Sequence, residues 1–254
     1  MQFKDKVVII TGSSSGIGRE IALQFAREGG NVIINGRNQQ EVGSVVDEIQ
    51  SSGGTALGFV ADVSIKGQVE NLVNYTIQNF DRVDILVNNA GGGGGSKNVE
   101  DLTEEDWDEV IAKNLKSVFF CSQAVLETMK KNKYGKIINI SSQAGRALTI
   151  LAGPHYASAK AGVIAFTRQL AKEVARSGIN VNAVAPGIIY SGPRFGQVWD
   201  SYPEGEREQF LEDIAIGRLG TNREIAATVL FLASDGAGYL VGATLDVNGG
   251  RWML

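Results

Sequence analysis

The chain has 254 residues, 43% hydrophobic and 20% charged, the balance of a globular protein with a large core. Its 24 Lys and Arg against 28 Asp and Glu give a net charge of −4, and it has no long basic run, which argues against nucleic-acid binding built on phosphate neutralisation. The single cysteine, Cys121, excludes an intrachain disulfide and reads as a packed thiol in an apolar helical run.

The first apolar run, residues 7–10, is too short for a signal peptide or a membrane span, and Thr11-Gly12 ends it. A cytoplasmic protein without a membrane partner is expected. The run reads as a strand. Similar runs follow at 32–35, 56–60, 85–88, 137–140, 181–184 and 244–247. Most are continuous rather than alternating, which suits parallel strands covered on both faces. Helical patterns lie between them. Residues 17–28 carry Ile17, Ile21, Leu23 and Phe25 at roughly helical spacing, and Gly29-Gly30 stops them. Residues 39–50 and 68–79 repeat the pattern, and Thr103-Glu104-Glu105-Asp106 resembles a capping box with Asp in place of Glu. The longest helical stretches are 117–130 and 157–175. This alternation predicts one doubly wound, Rossmann-type α/β domain over residues 1–254, a mainly parallel sheet with helices on both faces. Two segments break the rhythm. Residues 91–95 are all glycine, too flexible to hold regular structure alone. Residues 188–215, with Pro193, Gly196, Pro203, Gly205 and several aromatics, read as a lid or binding loop.

Thr11-Gly12-Ser13-Ser14-Ser15-Gly16-Ile17-Gly18 ends the first strand and opens the first helix. The spacing is G-x-x-x-G-x-G rather than G-x-G-x-x-G. The physics carries over: glycines allow a tight turn and close approach to a pyrophosphate, and helix N-terminal amides face the anion. Gly12, Ser14, Ser15, Gly16, Ile17 and Gly18 are therefore candidate cofactor contacts. The second strand ends in Asn35-Gly36-Arg37-Asn38, where an NAD site usually offers a carboxylate to the ribose. Arg37 offers a guanidinium suited to a 2′-phosphate instead, so NADP(H) is expected over NAD(H), which stays open. Asp62-Val63 and Asn88-Asn89-Ala90-Gly91 follow the third and fourth strands, where strand C-termini open into a ligand crevice.

Tyr156 and Lys160 stand at i and i+4, on one side of a helix. A nearby ammonium favours the phenolate and brings the phenol toward neutral-pH proton exchange. Ser141 and Ser142 end the fifth strand, where a hydroxyl can hold a substrate carbonyl; residue chemistry does not choose between them. Asn114 reads as a polar hinge in a helix or an exposed residue. His155, the only histidine, reads as packed or exposed ahead of any role in the chemistry.

Taken together, these motifs resemble the short-chain dehydrogenase/reductase family, in its short single-domain branch, over essentially the whole chain. The resemblance implies Asn114, Ser142, Tyr156 and Lys160 as the catalytic set, with Tyr156 the acid/base and Lys160 its partner. It implies cofactor contacts from Asp62, Val63, Asn89, Ala90, Gly91, Tyr156 and Lys160, from the Pro186-Gly187 loop, from the backbone of Ile189, and from Ser191 where the family usually has Thr. The expected reaction passes a hydride between nicotinamide and a carbonyl or secondary alcohol, with no metal. The expected partners are a small-molecule substrate and further copies of the chain, as a tetramer or dimer joined through 117–130 and 157–175. The closing stretch, Gly217-Arg218-Leu219-Gly220 through Gly249-Gly250, is similar to 3-oxoacyl-(acyl-carrier-protein) reductases, which ranks that substrate first and polyol or sugar alcohols second. A non-catalytic NADP(H)-sensing protein is the reading from another class, and the complete catalytic set argues against it. The segment 148–155 is expected to shape the pocket, and the closing residues 251–254 to pack on a neighbouring subunit or close over it.

Overall fold

The structure is a computed structural model that describes residues 1–93, 95–148 and 152–253. Part of the glycine run (residue 94), most of the segment after Leu148 (149–151) and the last residue lie outside the described residues.

In chain order the first half runs β1 (Val7–Ile10), α1 (Gly16–Arg27), β2 (Asn31–Gly36), α2 (Gln39–Ser51), β3 (Thr55–Val60), α3 (Lys66–Phe80) and β4 (Ile85–Asn88). It continues with α4 (Glu104–Ile111), α5 (Ser117–Asn132), β5 (Gly135–Ile140), α6 (Pro154–Val174) and β6 (Ile179–Pro186). The last part holds β7 (Ile189–Tyr190), α7 (Pro193–Ser201), α8 (Glu204–Glu212), β8 (Gly220–Thr221), α9 (Asn222–Ala233) and β9 (Thr244–Val247). Among the described residues the main sheet has seven strands in the order β3-β2-β1-β4-β5-β6-β9, and each pairing is parallel.

The continuous apolar strands serve two cores at once. Val8 and Ile10 of β1 pack with Ile21 and Phe25 of α1 and with Ile225 and Val229 of α9. Ile9, between them, packs on the other face with Leu72 of α3, Val125 of α5 and Leu170 of α6. Every residue of β1 is thus interior, so polar alternation has no place there. The cysteine is part of the second core, and burial pushes the Cys121 thiol up to about 12, as expected of an inert packed thiol.

The expected capping box at Thr103 and Asp106 is formed, with the two residues bonding each other's backbone amides. The sequence reading did not mark α9. Its signal is present in Thr221 and Glu224, a second capping box directly before an apolar run. The excursion at 188–215 is mostly ordered as α7 and α8. They enclose a small core of their own around Ile188, Phe210 and Ile214, with Trp199 and Tyr202 packed against it. No described helix is long and apolar enough to cross a membrane.

Candidate active site

The strand order places the site. The chain builds outward from β1 to β3, then returns to lay β4 against the other side of β1. The C-terminal ends of β1 and β4 therefore diverge into a crevice, the general ligand position in such sheets. The glycine turn fills its floor. Gly12 has φ +62°, and a Cβ there would lie 2.9 Å from the Cα of Ala90. A Cβ on Gly18 would collide with Asn89 Nδ2 and the Gly12 carbonyl. Only bare backbone lets the turn, α1 and the β4 loop come this close.

Side chains then lock the turn. Thr11 Oγ1 accepts from the amides of Asn89 and Ala90, each at 3.0 Å. Asn89 Nδ2 donates to the carbonyls of Thr11 and Gly12 at 2.9 and 3.0 Å. The Gly12 amide donates to Asn35 Oδ1 at 3.2 Å. Ser15, the residue before α1, makes no side-chain cap, and the first turn of α1 holds no acidic residue. Its N-terminal amides therefore face the crevice without a side-chain partner, a fit for the pyrophosphate of a dinucleotide.

Two cavities open from this floor and share Gly12, Ser15, Asn89 and Gly91. The first, about 280 Å³, runs past Gly36, Arg37, Asp62 and Val63. Asp62 accepts from the Ser64 amide and hydroxyl at 2.9 and 2.6 Å. Burial opposes its charge, but the Ser64 bonds and the Arg37 guanidinium outweigh burial and lower its pKa. Arg37 is exposed, with Nη1 4.0 Å from Asp62 Oδ2. The sequence reading missed the three other charged residues here. Glu41 accepts from the Ser14 hydroxyl at 3.1 Å and from Arg194 Nη2 at 2.8 Å, and Lys113 lines the same cavity. Arg194 belongs to α7, which is thereby tied to α2 beside the cavity. No local sequence pattern marks any of the three.

The second cavity, about 440 Å³, gathers most of the expected catalytic residues. Ser142, Tyr156, Lys160, Pro186, Gly187, Ile189 and Ser191 all line it, with Gly16, Ile17 and Gly18 of the turn. The structure separates the two serines. Ser141 is buried and spends its hydroxyl on the Lys160 carbonyl at 2.8 Å. Ser142 accepts from the Ala144 amide at 3.1 Å and lies within hydrogen-bonding reach of the Tyr156 hydroxyl. Helix α6 begins at Pro154, earlier than expected, so Tyr156 sits in its first turn and Lys160 one turn further in.

The expected electrostatic order of this pair is corrected. Burial raises the Tyr156 phenol above its ordinary value, and the Ser142 bond offsets this only in part. Burial lowers Lys160 to about 8. Its Nζ donates to the Ile140 carbonyl at 2.9 Å and lies over the Tyr156 ring, 5.6 Å from its centre. In the protein without cofactor, desolvation therefore dominates both groups.

Asn114 is fully buried, which removes the reading of it as an exposed residue. It lies in a π-helical turn, Ala112–Lys116, that joins α4 to α5. Its Oδ1 accepts from the Gly92 amide at 3.1 Å, and its Nδ2 donates to the Gly92 and Val110 carbonyls at 3.0 and 2.9 Å. A Cβ on Gly91 would lie 2.5 Å from Asn114 Oδ1 and 3.4 Å from Lys160 Nζ, so the glycine after Ala90 is what lets these two groups share one wall. His155 is fully buried, and neither ring nitrogen has a hydrogen-bond partner among the described residues. Leu148 and Ala152 line the cavity from the segment expected to shape it. Among the described residues no cluster of metal-ligating side chains occurs.

Residues 6–197 match the family described as short chain dehydrogenase. The chain belongs to that family. It is 44% identical over 254 residues to (2S)-[(R)-hydroxy(phenyl)methyl]succinyl-CoA dehydrogenase subunit BbsD of Thauera aromatica, covering 99% of this chain and 98% of the relative. It is 40% identical over 250 residues to the 3-oxoacyl-[acyl-carrier-protein] reductase FabG of Staphylococcus epidermidis, covering 98% of this chain and all of that one. The solved structure of a levodione reductase superposes with a TM-score of 0.92 at 34% identity, over 98% of each chain. The protein is an NAD(P)-dependent oxidoreductase of the short-chain family, acting between carbonyl and CH–OH groups.

Proposed function

We propose that this short-chain dehydrogenase reduces 3-oxoacyl thioesters with NADPH. The observation that carries the reading is the gathering of Ser142, Tyr156 and Lys160 on one cavity wall beside the uncapped glycine turn. The thioester is supported by two relatives, a 3-oxoacyl-carrier-protein reductase and an enzyme whose name describes a secondary alcohol on an acyl-CoA. NADPH is supported by the adenosine-side cavity, where the exposed Arg37 follows β2 in place of a carboxylate and offers a guanidinium suited to a 2′-phosphate.

A nicotinamide cofactor held in the crevice supplies the hydride. The protein's groups handle the oxygen and its proton. Ser142 holds the substrate carbonyl oxygen by a hydrogen bond that strengthens as negative charge develops. Tyr156 donates its proton to that oxygen. A phenol raised by burial remains protonated at neutral pH, which suits an acid in the reductive direction. Lys160 steadies the resulting phenolate and binds the cofactor ribose, while Asn114 anchors the path that returns a proton from solvent.

The test is turnover of an acetoacetyl thioester, ketoses and simple diketones with NADPH and with NADH, followed at the nicotinamide absorbance. Thioester reduction with NADPH in preference to NADH is the expected result. Turnover of ketoses alone, or equal use of NADH, overturns the substrate or the cofactor assignment respectively. The Thauera relative favours a second direction at the same site, oxidation of a hydroxyacyl-CoA, which the reverse assay reads.

A further inference from the structure

The substrate cavity carries a cation that the chemistry above does not use. Of the described residues that line it, only Lys160 and Arg251 are charged, and no carboxylate faces it. Lys160 is committed to the Ile140 carbonyl and stands over the Tyr156 ring. Arg251 arrives from the far end of the chain. A turn fixes it there: its amide donates to the Asn248 carbonyl at 3.2 Å, the Gly250 amide donates to Asn248 Oδ1 at 3.0 Å, and Asn248 Nδ2 donates to the Trp252 carbonyl at 2.7 Å.

The Arg251 side chain is 13% exposed, and among the described residues its one acidic neighbour, Asp213, is 3.8 Å away and 48% exposed. The guanidinium lies 6.0 Å from the centre of the Phe210 ring and forms no side-chain hydrogen bond among the described residues. The side chain is mostly enclosed, while its guanidinium, with five donors in a planar fork, opens on the cavity without a hydrogen-bonded acceptor among the described residues. A partly solvated carboxylate at 3.8 Å does not supply one. The fork matches a carboxylate in two parallel bonds.

From this placement we infer that Arg251 is the anion-recognition residue of the substrate site, and that the preferred substrate bears a free carboxylate on its acyl part in addition to the reacting carbonyl. The inference rests on the oxoacyl-thioester reading for the identity of the acyl group, and on the cavity alone for the charge.

The probes are the N-acetylcysteamine thioester of 3-oxoadipate and its methyl ester, which differ in one negative charge. Each is tested for turnover and, by calorimetry, for binding to protein loaded with the oxidised nicotinamide nucleotide. The wild-type protein is expected to favour the acid by roughly ten- to a hundredfold in KM and Kd, the range of a charge-assisted hydrogen bond. Arg251→Met should erase that preference by weakening the acid alone. Asp213→Asn cuts the same ion pair but keeps the cation, so it should retain or increase the preference. Equal binding of acid and ester by the wild type overturns the inference, as does an equal loss of both in Arg251→Met matched by Asp213→Asn, which would make Arg251 a brace for α8. Preference for the acid in binding without turnover of either thioester leaves Arg251 its role and overturns the thioester reading.

Discussion

Replacing Lys160 with Met removes an amine that the fold holds against its own stability. Lys160 is 4% exposed, and burial lowers its pKa from 10.5 to about 8. A tenfold change in proton affinity corresponds to about 1.4 kcal/mol, so the buried ammonium destabilises the cofactor-free protein by about 3 kcal/mol near neutral pH. Met keeps the apolar stem but leaves the Ile140 carbonyl without the donor it has at 2.9 Å, a loss of about 1–2 kcal/mol. The variant is therefore expected to be more stable than the wild type by about 1–2 kcal/mol near pH 7 while losing turnover. The pH dependence is the sharper reading. Because the folded pKa lies below the unfolded one, the unfolded chain holds the extra proton between about 8 and 10.5. Wild-type stability gains from Lys160 as pH rises through that window, and the variant has no such gain. The variant's advantage should shrink by about 2–3 kcal/mol between about pH 7 and pH 10 and change sign. Urea unfolding of both proteins across this range measures it, and taking their difference removes titrations common to both. A difference that stays flat with pH would refute the claim that desolvation controls Lys160.

Three further outcomes follow from the site. Tyr156→Phe should lower turnover by about a hundredfold or more while NADPH binding, read by nicotinamide fluorescence, changes little; substantial residual activity would remove Tyr156 as the proton donor. Arg37→Ala should weaken NADPH by about tenfold or more and leave NADH nearly unchanged, and equal losses would show that Arg37 does not read a 2′-phosphate. Gly18→Ala places a methyl against Asn89 and the Gly12 carbonyl, so a destabilisation of about 1–3 kcal/mol by urea unfolding and weaker binding of either nucleotide are expected. A variant that melts and binds like the wild type would mean the turn is looser than its contacts imply.

The parts of this site that could be read in the sequence are those built within one strand-turn-helix unit. The turn from Gly12 to Gly18 announces itself because the residues that need it, a strand end and a helix start, are its neighbours in the chain. Tyr156 and Lys160 are legible for the same reason, as one face of α6. Their charge state was not. The i, i+4 spacing gives proximity, whereas the pKa values depend on how much water the whole fold removes, and burial sets the direction of both shifts. Residue chemistry left Ser141 and Ser142 open and only the family resemblance chose Ser142; the backbone after β5 sends the Ser141 hydroxyl to the Lys160 carbonyl and leaves Ser142 beside Tyr156.

Residues that act across long separations left no local trace. Glu41 and Arg194 meet over 153 positions, and Arg251 joins Tyr156 in one cavity from the segment beyond the C-terminal end of β9. These adjacencies are made by the strand order. Because β4 returns beside β1, Asn89 can clamp Gly12 from 77 positions away, and because β9 closes the sheet beside β6, the tail after Val247 is delivered over Pro186 and Gly187. A Cβ on Gly187 would lie 2.8 Å from the Cα of Asn248, so the Pro186-Gly187 loop and the turn that presents Arg251 are packed backbone to backbone. The same contact thus fixes both the Pro186-Gly187 side of the cavity and Arg251. Variation in the tail can therefore change what the enzyme accepts while leaving the glycine turn and the Tyr156–Lys160 pair untouched.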